Sequence, residues 1–265
     1  YSLIPMMAAF VVMVLITVAT VGLAIVYERQ VIAHFGLVGA YTIPFLLSTG
    51  SNNYLALFSY MSLVNVGILA VSIRKYWLPI FFTSFVATWL IYFAWLLDKF
   101  RSDEHLNLAL VFLVIFFGIF YVTKLIQKVV FKETDEILDK ILLVATVAVF
   151  YALCFVISIS VQSQLGFTSL FTYIASITLV VLVTSFRFYD RLVVYIVNPA
   201  VWGIFWVWFV GSYNAERDLL LGAVFSAVYF TLFYGAAIYY RLINDEIPSG
   251  ETAGLVISNS IIFYG

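Results

Sequence analysis

"YMSLVNVGILAVSIRKYWLPIFFTSFVATWLIYFAW" (residues 60–95) is two apolar runs joined by one basic pair, Arg74-Lys75. It returns 113 positions later as "YIASITLVVLVTSFRFYDRLVVYIVNPAVWGIFWVW" (residues 173–208). Tyr60, Ser72, Arg74, Tyr76, Trp89 and Trp95 recur without a gap as Tyr173, Ser185, Arg187, Tyr189, Trp202 and Trp208. Laying 60–152 over 173–265 gives 20 identities in 93 positions, where chance in a chain this apolar gives about half as many. Aromatic residues recur at membrane interfaces for their own reasons. A constant offset shared by two Trp, an Arg and the Phe-Tyr pairs at 120–121 and 233–234 makes duplication the better reading.

With 65% apolar, 19% aromatic and 10% charged residues in 265, the chain lies outside soluble globular usage and is expected to be an all-α, many-pass membrane protein. A net charge near −1 leaves no basic surface for nucleic acid, and no zinc-type or phosphate-cradling motif is present. No cofactor is implied. Cys154 stands alone inside an apolar run, where it reads as a small core hydrophobe. The chain opens on Tyr1 without a basic leader, and its last apolar run reaches only about 12 residues, so a fragment of a longer protein is expected.

Charged joints cut the sequence into nine spans and the start of a tenth, at roughly 4–27, 31–49, 54–73, 76–97, 106–123, 137–160, 167–186, 192–210, 219–240 and 252 onward. Continuous apolar runs exclude a barrel, whose strands alternate. Arg29, Arg74, Lys75, Lys124, Lys128, Lys132, Lys140, Arg187, Arg191 and Arg241 then fall on one side; Lys99, Arg101 and Arg217 fall on the other. Ten against three assigns the first side to the cytoplasm and Tyr1 to the opposite face. Four spans per repeat make the copies parallel, related by an axis along the membrane normal. The expected organisation is a leading helix (1–27), two four-span units (28–140 and 141–253) and a truncated further span (254–265).

None of the 27 charged residues lies in the middle of an apolar block, which argues against ion coupling and intramembrane catalysis. The candidate binding residues are therefore uncharged, apart from His34: Pro44, Asn65, Trp89, Asn198 and Trp202. Pro44 cannot donate to the carbonyl of Ala40, which must find another donor or face a cavity. Gly36 and Ala40, with small-xxx-small spacing, offer plain helix packing as the alternative reading of that span. Asn198 and Pro199 are expected to break the eighth span. Trp89 and Trp202 lie deep, whereas Trp77, Trp95 and Trp208 fit an interfacial belt. His34 is a titratable group near the cytoplasmic boundary, a proton shuttle or simply an interfacial side chain. No second ligand accompanies it, so no metal site is expected. Lys124, Lys128 and Lys132 share one helical face, where they hold anionic lipid or simply snorkel from a span end.

"HFGLVGAYTIPFLLSTGSNN" (residues 34–53), followed by the Tyr60 span and "RKYW" (residues 74–77), resembles a bacterial family of membrane proteins catalogued as domain of unknown function 2339. The resemblance implies a bacterial inner-membrane location and an internal piece of a longer chain. It supplies no substrate, cofactor or catalytic residue. Three functions stay open: a carrier or lipid-handling protein, a membrane scaffold, and an interfacial enzyme on lipid or glycan that would need His34 or His105.

Overall fold

A computed structural model describes residues 30–46, 53–74, 77–130, 136–188 and 191–244, with isolated positions in 12–29 and 256–260. Among the described residues eight helices follow one another: α1 (Gln30–Leu46), α2 (Tyr54–Arg74), α3 (Leu78–Asp98), α4 (Ser102–Val130), α5 (Glu136–Ser160), α6 (Gln164–Phe188), α7 (Arg191–Gly211) and α8 (Ala215–Asn244). No strand occurs among the described residues. Helices α3 to α8 are each long and apolar enough to cross a membrane, and α1 adds a shorter apolar helix of 17 residues.

Local chemistry sets where the helices begin. Asn53 caps α2, its Oδ1 accepting from Ala56 N at 3.1 Å. Ser163 caps α6 through Gly166 N at 3.1 Å. Asn214 caps α8 by accepting from Glu216 N at 3.0 Å, and Asp218 reaches back to Asn214 N at 3.1 Å. Pro79 sits in the first turn of α3, where its missing N–H costs nothing. Asp103 and Glu104 occupy the first turn of α4 and Lys128 the last, both matching the helix dipole, so α4 extends beyond its apolar block at each end.

The expected break of the eighth span at Asn198 and Pro199 does not occur. α7 runs unbroken from Arg191 to Gly211 with Pro199 inside it. A single proline deletes one ladder bond, but its fixed φ is itself helical, and the flanking turns carry the helix through.

The chain divides into two units, residues 1–98 with 115–135, and residues 99–114 with 136–265. Each is built round an aromatic cluster. In the first, the Phe58 ring lies 5.0 Å from Trp95 at 87°, 6.0 Å from Phe116 at 85° and 5.5 Å from Tyr92 at 49°. In the second, Phe171 lies 5.3 Å from Trp208 at 83°, 6.3 Å from Tyr229 at 88° and 5.8 Å from Phe205 at 40°. Trp89 meets Tyr92 edge-on at 6.1 Å and Trp202 meets Phe205 edge-on at 5.8 Å. Every member of the second set stands 113 positions after its counterpart. Such edge-on and tilted pairs each contribute about 0.5–1.5 kcal/mol beyond the area they bury. Trp95 and Trp208 are thus buried core residues and not belt anchors, because packing on Phe58 and Phe171 draws them inward. Cys154 is fully buried, as an inert core thiol should be.

Candidate functional site

Asn65 is a buried amide of the first unit, 1% exposed, and a closed hydrogen-bond circuit satisfies it. Tyr41 Oη on α1 donates to Asn65 Oδ1 on α2 at 2.5 Å. Asn65 Nδ2 donates to Thr88 Oγ1 on α3 at 3.1 Å. The Thr88 hydroxyl lies 2.8 Å from Tyr41 Oη and closes the ring by donating to it. Three helices are pinned by three donors and three acceptors, so no polar atom of the circuit confronts hydrocarbon unpaired. At the residue before Tyr41 on α1, Tyr60 Oη donates to the Ala40 carbonyl at 3.0 Å. That is the group Pro44 cannot serve. The Pro44 side chain lies outside the described residues, though α1 continues as far as Leu46.

Beside this circuit an open groove of about 430 Å³ runs between α1 and α3. Leu37, Val38, Tyr41 and Thr42 form one wall, and Thr83, Ala87 and Ile91 form the other. Thr42 Oγ1 donates to Val38 O at 2.7 Å and Thr83 Oγ1 to Pro79 O at 2.9 Å. Both hydroxyls are turned back on their own helices, leaving a lining that is chemically almost hydrocarbon. The positions 113 later than Leu37 and Val38 are Phe150 and Tyr151, both buried. In the second unit α5 packs closely along α7, and the Tyr151 hydroxyl meets Thr178 Oγ1 at 2.8 Å. Large aromatic side chains are buried in the second unit where the first unit has Leu37 and Val38 and keeps a groove.

The remaining candidates are elsewhere. Trp89 is buried in the aromatic cluster of the first unit, with Nε1 unpartnered. It does not line the groove. In the second unit Trp202 Nε1 donates to Asn259 Oδ1 at 3.0 Å, and Asn259 Nδ2 donates to Phe230 O at 3.2 Å. Asn198, one turn before Trp202, is buried with Nδ2 unpartnered. His34 is half-buried, and its Nδ1 donates back to Gln30 O at 3.0 Å, an arrangement within one helix turn. Lys124 is buried, Lys128 is exposed, and Lys132 lies outside the described residues. Among the described residues no three His, Cys, Asp or Glu side chains are grouped so that they could hold a metal.

The family model described as "Predicted membrane protein (DUF2339)" matches residues 1–167 of the 265 in the chain. The chain belongs to this family. The match takes in α1 to α5, and with them the Tyr41–Asn65–Thr88 circuit and the groove. No curated protein and no solved structure matches the chain. It is therefore a DUF2339 membrane protein of unknown function, with several apolar helices able to span a bilayer.

For this DUF2339 protein the sequence pointed to Asn65 but not to Tyr41, Thr88 or the groove. An asparagine deep in an apolar span demands partners, and Tyr41 and Thr88 were available polar tips on the neighbouring spans. Asn259 was missed because it sits in the last apolar run, with no charge or motif to mark it.

Proposed function

We propose that this DUF2339 protein is a carrier or lipid-handling protein of the bacterial inner membrane that works without intramembrane charge and takes a hydrocarbon chain into the groove between α1 and α3. The observation carrying this reading is the open groove of about 430 Å³ with its hydroxyls turned away. Nearby outward side chains such as Val38 and Leu90 are exposed and apolar, so acyl chains are the solvent at its mouth.

The wider architecture we propose is nine spans and the start of a tenth, with two parallel four-helix units 113 residues apart and Tyr1 on the non-cytoplasmic side. Helix bounds support this. α3 (Leu78–Asp98) and α7 (Arg191–Gly211) are both 21 residues long and start and end 113 positions apart, and the starts of α4 and α8 are also 113 apart. The matching ring geometry about Phe58 and Phe171 supports it further.

Replacing Val38 with Trp should fill the groove. Purified wild-type protein, screened by thermal unfolding against phospholipids, fatty acids and isoprenoid lipids, is expected to gain about 5–10 °C with one class at a hundredfold excess over its dissociation constant. Val38→Trp should keep its helical content and lose that gain. No ligand-dependent shift across the whole panel would end the proposal. The burial of Trp89 and Trp202 within packed ring clusters favours a second reading, a scaffold with no small-molecule site. Failure of the protein to retain any partner after cross-linking in cells would count against it.

A further inference from the structure

The basic end of α4 carries a second feature. At 29 residues α4 is about 43 Å long, against a hydrocarbon core of about 30 Å. Its first turn holds Asp103 and Glu104, so its final turns emerge at headgroup depth on the opposite side. There Gln127 is 1% exposed, and neither its Nε2 nor its Oε1 has a hydrogen-bond partner. A buried amide with both ends unmet is rare in folded proteins and calls for a partner of matching chemistry. One turn earlier Lys124 is 4% exposed, with Nζ 4.4 Å from the centroid of the Phe81 ring. Lys128, one turn beyond Lys124, is exposed.

We propose that Gln127, Lys124 and Lys128 form a headgroup site for an anionic phospholipid whose headgroup also bears a hydroxyl, as a glycerol headgroup does. Phosphate oxygens accept from Gln127 Nε2 and from the lysine ammonium groups; the headgroup hydroxyl donates to Gln127 Oε1. A choline headgroup fails on both counts, since it has no hydroxyl to donate and leaves the lipid without net charge. The Phe81 ring closes one side. This inference goes beyond the groove and stands without it. Phe81 and Thr83 are two residues apart, about 200° round α3, so headgroup site and groove occupy opposite faces of that helix.

Native mass spectrometry of the protein in mild detergent, titrated with phosphatidylglycerol and with phosphatidylcholine, tests it. Wild type should hold phosphatidylglycerol about thirtyfold more tightly, the scale expected of two lysines at a membrane surface. Gln127→Leu should lose several-fold of that preference, the share of the headgroup hydroxyl, while the lysines retain the rest. Gln127→Glu, which keeps the volume and adds a repelling charge, should do the same if Gln127→Leu fails to fold. Val38→Trp should keep the wild-type preference. Equal binding of the two lipids by wild type would overturn the proposal, as would an intact preference in both Gln127 variants. So would loss of the preference in Val38→Trp, which would move the lipid to the groove. Glycerol 3-phosphate or inorganic phosphate displacing phosphatidylglycerol at comparable concentration would also overturn it, in favour of a soluble phosphate ligand.

Discussion

The proline at position 44 removes the amide that would have served the Ala40 carbonyl, and Tyr60 Oη supplies the missing donor from α2 at 3.0 Å. Tyr60→Phe should therefore cost about 1–2 kcal/mol, the usual penalty for stranding a buried acceptor. The same change in a Pro44→Ala background should cost distinctly less, because an alanine amide can rejoin the α1 ladder. A double-mutant cycle by chemical denaturation in detergent measures this; equal costs in both backgrounds would refute the pairing. The sequence exposed half of this interaction. It showed that a carbonyl was freed, since that follows from one residue type, but the donor lies 20 residues away on another helix, and only packing reveals it. Asn65 behaves the same way: its depth was legible, and its partners Tyr41 and Thr88 were not, because they come from two other helices.

Glycines separate the local from the tertiary at the level of whole helices. A Cβ at Gly166, in the first turn of α6, would lie 2.8 Å from Ser163 Oγ, 2.8 Å from Val161 Cγ1 and 3.0 Å from Leu106 Cδ2. Ser163 is the cap of α6, so the clash attacks both the packing and the start of the helix. Gly166→Ala should destabilise by about 1–3 kcal/mol. Gly203 in α7 and Gly118 in α4 have nothing within 4 Å of an added Cβ, and alanine there should be neutral or stabilising by up to about 1 kcal/mol. Thermal unfolding of the three variants should rank Gly166→Ala lowest; any other order would show that the α6 start tolerates the intrusion. Most helices were legible from the spacing of charged residues, and the charge-free joints at 49–53 and 161–166 from their polar residues and glycine. The bounds were less so: α4 starts at Ser102 and ends at Val130 because acidic and basic residues at its two ends favour helix beyond the apolar block. Trp95 and Trp208 were misplaced at the surface because composition records that an aromatic is near a helix end, and only the neighbouring rings decide whether it turns inward.

The proposed parallel duplication makes a demand on the molecule that no single unit can meet. Lys99 and Ser212 are 113 positions apart, as are Lys128 and Arg241. If four spans separate equivalent positions, the members of each pair must face the same compartment; an odd number of intervening spans would put them on opposite sides. Cys154 is fully buried and can remain while single cysteines are introduced. In intact cells Lys99→Cys and Ser212→Cys should both react with a membrane-impermeant maleimide, while Lys128→Cys and Arg241→Cys should react only after permeabilisation. Opposite-side labelling within either pair would dismantle the parallel arrangement. All four reacting in the reversed pattern would keep the duplication but turn the protein over, placing Gln127 and its neighbouring lysines at the outer leaflet. The headgroup site and the topology are thus linked: a site built from α4 sees the lipids of whichever leaflet the basic end of that helix reaches.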